Sequence, residues 1–174
     1  AKGKDAYTCG YPLNTETNLR PLVTDEAQAR VRSLVENGKK DGAQIKFGGD
    51  MPDLDCAYIN PTLYSDVTND MRIAREEIFG PVAAVIPFDG IEAGISIAND
   101  TIYGLAAGVW TSDLNQAHRL IREIEAGVIW VNCFDEGDMT QPFGGYILSG
   151  KARYKRVESL LSYTQSKSAW LRFS

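Results

Sequence analysis

Arg75-Glu76-Glu77-Ile78-Phe79-Gly80-Pro81-Val82-Ala83-Ala84-Val85-Ile86-Pro87-Phe88 sets two carboxylates and an aromatic ring directly before a turn and an apolar run. Gly80-Pro81 punctuates the chain as a turn. The run at 82–88 is unbroken, apolar and partly β-branched, which predicts a buried strand with Glu77 and Phe79 projecting at its start. A carboxylate accepts hydrogen bonds from both hydroxyls of a ribose, and a phenyl ring two residues on packs against a flat heterocycle. The pair suits a nucleotide. The plainer alternative is a capped turn with Glu77 in a surface ion pair and Phe79 in the core. Ligands of open α/β sheets collect at the carboxyl ends of strands, so a site ahead of Val82 needs completion from elsewhere.

Beyond this stretch the order becomes regular: strand 82–88, helix 91–98, strand 105–110, helix 113–125, strand 128–131. Such alternation predicts parallel β-α-β units, hence an α/β fold with a mostly parallel sheet and flanking helices. In the second of these helices Ser112 is placed to cap, Leu114, Ala117, Ile121 and Ile124 share a face, and Gly127 follows as a left-handed stop. His118 lies off that stripe and is assigned no role. Upstream, Thr24 caps a helix whose first turn carries Asp25 and Glu26 and whose apolar face is Ala27, Val31, Leu34 and Val35. That helix ends near Gly38 or Gly42. A short strand at 43–47 turns at Gly48-Gly49, and a second at 58–64 places Pro61 at an edge or a bulge. Residues 1–9 read as a ragged start, Val157, Leu160 and Leu161 as a closing helix, and 163–173 as a β-prone tail with Trp170 and Phe173 near its end. No internal repeat or low-complexity linker interrupts the order, so one domain is expected.

A chain of 174 residues, 44% hydrophobic and 24% charged, is long enough for one core. A formal net charge of -5 and the lack of a basic stripe argue against nucleic acid. No apolar run reaches the roughly 20 residues that span a bilayer, and the N-terminus lacks the apolar core of a signal peptide. A soluble, cytoplasmic protein is expected. Cys9, Cys56 and Cys133 form no C-x-x-C pair, and with a single histidine a zinc cluster is not expected. Free thiols fit a reducing compartment.

The blocks at Glu76 to Val82 (E-E-I-F-G-P-V), Asn99 to Thr111 (N-D-T-I-Y-G-L-A-A-G-V-W-T), Gly127 to Cys133 (G-V-I-W-V-N-C) and Pro142 to Tyr146 followed by Ser149-Gly150 (P-F-G-G-Y, S-G) resemble, in order, those of the NAD(P)-dependent aldehyde dehydrogenases. The resemblance runs from about Gly10 to the end and corresponds to the later part of that family's much longer chain. It implies part of the family's catalytic domain over 1–162 and an oligomerisation-type β tail over 163–174, a homo-oligomer, an aldehyde substrate, and NAD or NADP as cofactor. Glu77 and Phe79 would then stand at the nicotinamide ribose, and Asp135, Glu136, Gly137 and Phe143 along the aldehyde pocket. Val131 to Tyr146 is most similar to members that oxidise amino-aldehydes, such as the γ-glutamylaminobutyraldehyde dehydrogenases. A carboxylate of Asp135, Glu136 or Asp138 facing the tunnel would attract the ammonium end of such a substrate, and the bland alternative is a solvated acidic loop. The chain departs from the family at Tyr11, Arg20, Ile147 and Lys151-Ala152.

The family's chemistry needs a cysteine nucleophile, a carboxylate base and a hydride acceptor. None of the three cysteines matches the nucleophile's G-Q-x-C type block, and no G-x-G-x-x-G occurs. No catalytic residue is therefore assigned. Cys133 matches a non-nucleophilic family position and reads as a small thiol beside the pocket. The resemblance implies a fragment that is inactive alone and needs a missing N-terminal segment or a neighbouring subunit. The alternative is a non-catalytic binding or assembly module on the same fold, whose apolar tail pairs with a sheet edge.

Overall fold

Thr24 begins the first helix as its sequence requires: its hydroxyl accepts the Ala27 amide at 3.1 Å, and Asp25 and Glu26 fill the first turn. The structure, a computed structural model, describes residues 6–173. It divides into two compact units, 1–89 and 90–174.

In the first unit α1 (Asp25–Lys40) packs on a three-stranded sheet of order β1-β2-β3: β1 (Gln44–Phe47), β2 (Thr62–Ser65) and β3 (Val82–Ala84). A short helix, α2 (Arg72–Arg75), precedes the turn into β3. β1 runs antiparallel to β2 with an irregularity between Ile45 and Phe47, and β3 runs parallel to β2, pairing Thr62 with Val82. Val31 and Val35 of α1 meet Tyr64, Ile59, Val67 and Ile73 in the core. The buried Tyr64 hydroxyl donates to the Val35 carbonyl at 2.5 Å, which joins strand to helix. A Cβ at Gly38 would come within 2.9 Å of Ile73 of α2 and 3.2 Å of the Tyr64 ring, so the helix accepts a poor helix former there to let both approach.

Three expectations change. The run at 82–88 is a strand only over Val82–Ala84, and Val85 and Phe88 are exposed rather than buried. Val85 still donates to the Tyr64 carbonyl, but the partner strand turns at Asp66 (φ 54) and Pro87 has no N–H to continue the ladder. The strand expected at 58–64 begins at Thr62, just after Pro61, leaving Tyr58 and Ile59 buried but unladdered. Within the ragged start expected at 1–9, residues 1–5 lie outside the described residues, and Cys9 forms a parallel bridge with Leu19.

The second unit holds α3 (Gly90–Asn99), β4 (Ala106–Val109), α4 (Leu114–Glu123) and β5 (Val128–Val131), with β4 and β5 parallel and Ala106 opposite Val128. This is the β-α-β unit expected from the alternation. Arg119 of α4 pairs with Glu92 of α3 at 2.6 Å and with Glu123 at 2.8 Å. Asn99 fixes the far end of α4, donating to the Glu123 carbonyl and accepting the Glu125 amide. The N-cap is Asp113, not Ser112: its carboxylate accepts the Asn115 and Gln116 amides at 2.8 and 3.2 Å. Gly127 is not a left-handed stop, because the chain leaves α4 extended at Ile124. Glycine is needed there for another reason: a Cβ would stand 1.7 Å from the Gly144 carbonyl oxygen. Of the predicted stripe, Ala117 is buried while Leu114 and Ile121 are exposed. The closing helix is a 3-10 helix (Val157–Tyr163) with Val157, Leu160 and Leu161 exposed, and residues 164–173 form no strand within this chain.

Candidate functional site

The turn between α2 and β3 presents the first group of candidate residues. Phe79 adopts φ 56, a left-handed conformation that a bulky side chain enters only when its surroundings enforce it, and the residue is 74% exposed. Within this chain Phe79 is therefore not packed in the core. Glu77 is exposed on the same turn. The surface ion pairs belong instead to Glu76, which meets Arg72 and lies 3.8 Å from Arg30. The hydrogen bond from Arg72 holds the Glu76 carboxyl below the usual carboxylate range, and the charges of Arg72 and Arg30 act in the same direction. Gly80 stands where a Cβ would come within 2.9 Å of both Val31 methyl carbons, so the turn lies directly on α1. Ala27, Arg30, Ile78 and Phe79 line an open cavity of about 370 Å³. An exposed carboxylate and an exposed ring two residues apart, beside an open cavity, fit a ribose carrying a flat base.

Arg30 is the residue of this corner that sequence reasoning missed. Its guanidinium donates to the Ile78 carbonyl at 2.8 Å and to the Glu77 carbonyl at 2.6 Å. No local pattern announces that role, since the carbonyls belong to a turn far along the chain.

The second group lies on the long connection 133–150 of the other unit. Trp130 on β5 donates its indole N–H to the Glu136 carbonyl at 2.7 Å and packs against Phe134 with ring centroids 5.1 Å apart. These contacts fix the loop's backbone and leave Asp135, Glu136 and Gly137 exposed. Asp135 is itself left-handed at φ 55. Asp138 is differently placed: its carboxylate accepts the Thr140 hydroxyl at 2.6 Å and the Thr140 amide at 2.7 Å, bonds that lower its proton affinity. Both bonds fall on Oδ1 of an exposed side chain. Phe143 is half-buried, bridges antiparallel to Tyr154, and carries the Lys155 ammonium 5.6 Å from its ring centroid. Cys133 is half-buried, and all three cysteines are free thiols. Among the described residues no cluster of histidine, cysteine or carboxylate could hold a metal ion, and no helix is long and apolar enough to cross a membrane.

The aldehyde dehydrogenase family model matches residues 2–169. This chain belongs to the aldehyde dehydrogenase family. A betaine aldehyde dehydrogenase of Mesorhizobium japonicum is 44% identical over 166 residues, covering 93% of this chain and 34% of that protein. Among solved structures, an indole-3-acetaldehyde dehydrogenase of P. syringae in complex with NAD+ and IAA superposes with a TM-score of 0.91 at 45% identity, over 97% of this chain and 34% of that one. An aldehyde dehydrogenase of Mycobacterium tuberculosis complexed with NAD+ gives 0.91 at 39% identity, over 98% and 36%. This aldehyde dehydrogenase chain thus spans about a third of the length of the relatives it matches.

Proposed function

We propose that this chain supplies the nicotinamide-ribose corner and one wall of the aldehyde pocket in an NAD(P)-dependent oxidation of an aldehyde to a carboxylic acid. The observation that carries the reading is the exposed Glu77 and Phe79 pair on a turn seated against α1. Glu77 would accept the ribose hydroxyls and Phe79 would pack against the sugar or base, while the bound dinucleotide accepts the hydride. Whether NAD or NADP is used depends on residues outside this chain. The NAD+ complexes of the P. syringae and M. tuberculosis enzymes support the choice of cofactor class. The nucleophile, the base and the rest of the cofactor fold come from a segment beyond these residues, so the chain alone binds nicotinamide nucleotide weakly and does not turn over. Its place is the later part of the catalytic domain over 1–162, with 163–174 as a pairing tail, in a cytoplasmic homo-oligomer; the three free thiols support the compartment. The test is aldehyde-dependent NADH formation by the chain alone and after mixing with the earlier two thirds of a family member. Activity only in the mixture is the expected result, and turnover by the chain alone would overturn the reading.

For the substrate we propose an aldehyde with a cationic far end. Asp135 and Glu136 support this because they are exposed on a loop held by Trp130, and Asp138 is exposed beside them with its Oδ1 taken by the Thr140 hydroxyl and amide. The Mesorhizobium japonicum relative, named for betaine aldehyde, supports a cationic substrate, and the P. syringae relative, named for a neutral indole aldehyde, supports the opposite. Gly137 leaves room for the far end, and Phe143 would hold the apolar carbons. In the restored enzyme, amides at Asp135 and Glu136 should raise KM for an ω-amino aldehyde about tenfold and leave a neutral aldehyde of equal length unchanged. Equal effects on both would remove the electrostatic argument.

A second reading, a non-catalytic assembly module, is favoured by the tail alone, where Trp170 is 96% and Phe173 89% exposed. It predicts a stable oligomer with no affinity for NAD, which calorimetry and a solution mass would separate from the first.

A further inference from the structure

Phe79 holds a left-handed conformation that a side chain of its size does not hold unaided, so something outside the turn must enforce it. Four contacts from α1 converge there. Arg30 donates to the carbonyls of Ile78 and Glu77, the two residues immediately before Phe79, at 2.8 and 2.6 Å. Its third partner is the Glu76 carboxylate at 3.8 Å, itself held by Arg72. Val31, one position on, lies against Gly80, the residue immediately after Phe79. Helix and turn are thus joined on both sides of the strained residue.

We propose that Arg30 is a positioning residue for the nicotinamide nucleotide: it braces the turn so that Glu77 and Phe79 face the ligand together. The inference rests on the nucleotide reading of that corner given above. The chemistry specifies arginine. Two successive carbonyls diverge along the backbone, and the planar fork of a guanidinium reaches both at once with charge-assisted bonds. A lysine ammonium offers the same charge from one point, and a glutamine amide offers donors without charge. A brace therefore fails with either replacement. An Arg30 that served only as a positive charge for the nucleotide's phosphate would tolerate lysine.

The test uses the full chain, labelled with 15N, titrated with nicotinamide mononucleotide. Arg30→Lys and Arg30→Gln should each shift or broaden the amide signals of Ile78, Phe79 and Gly80 in the free protein, while the core signals of Val35 and Tyr64 stay in place, which separates a loosened turn from a damaged fold. Both should weaken nucleotide binding about tenfold, the effect of losing one charge-assisted bond's worth of preorganisation. Glu77→Gln, the control, should weaken binding and leave the Phe79 and Gly80 signals near their original positions. Unmoved turn signals with undiminished binding in Arg30→Lys would overturn the brace. A parent chain whose Glu77 to Gly80 signals ignore the nucleotide would instead overturn the nucleotide reading, and the free-state signals would still decide whether Arg30 holds the turn.

Discussion

A methyl group at Gly127 would collide with the Gly144 carbonyl oxygen, so backbone must move to admit it. Gly127→Ala is expected to cost about 2–3 kcal/mol, the usual scale of overpacking against an unyielding neighbour. At Gly42 the space is open and only the left-handed φ of 96° resists a side chain, so Gly42→Ala should cost about 1 kcal/mol. Urea midpoints of the two variants measure the difference, and equal losses would show that the Gly127 contact is not tight. Tyr64 gives a second residue-scale outcome. Burial, with a smaller contribution from the Glu36 charge, pushes its phenol from 10.0 up to about 12. The folded state then keeps a proton that the unfolded chain releases. That stabilisation is complete below pH 10 and is lost as pH rises through about 12, a change on the order of 2–3 kcal/mol. Tyr64→Phe should remove this part of the alkaline slope, as measured by unfolding from pH 9 to pH 12, and an unchanged slope would assign it to other groups.

Among the elements, α4 shows how far local sequence carries. The helix itself follows from the spacing of Leu114, Ala117 and Ile121, but choosing its cap between the adjacent Ser112 and Asp113 requires knowing where the chain turns. Asp113 accepts two amides and Ser112 none, so Asp113→Ala should cost about 1 kcal/mol while Ser112→Ala stays within about 0.5 kcal/mol. The reverse order in thermal unfolding would return the cap to Ser112. The same divide separates what was legible elsewhere. Thr24 and the face of Val31, Leu34 and Val35 depend on neighbours within one helix, and they were readable. The length of β3 depends on its partner: the ladder fades after Val85 because β2 turns at Asp66, which no apolar run can disclose. The Glu77 and Phe79 pair was visible as a short motif. Arg30 under that turn and Lys155 over Phe143 were not, because both contacts arise only from tertiary packing.

On the scale of the whole molecule, much apolar surface faces solvent: Leu114 and Ile121 along α4, Val157, Leu160 and Leu161 in the closing 3-10 helix, Trp170 and Phe173 in the tail. Patches of this kind drive association when nothing else covers them. The chain is expected to self-associate with rising concentration and to bind a hydrophobic dye, and removal of residues 164–174 should reduce the association. Light scattering from a concentrated, monodisperse monomer that leaves the dye dark would contradict this.

Thr62 pairs with Val82 and Ala106 with Val128. Each parallel ladder therefore closes over roughly 20 residues, a short span for a parallel pair, and neither contains the other. On the ribosome the first ladder has all its strands before the second has any, since synthesis runs from the amino end. Assembly of the first unit can begin while the later residues are still in the exit tunnel, and a nascent chain stalled soon after residue 89 clears that tunnel should already protect Tyr64 from modification.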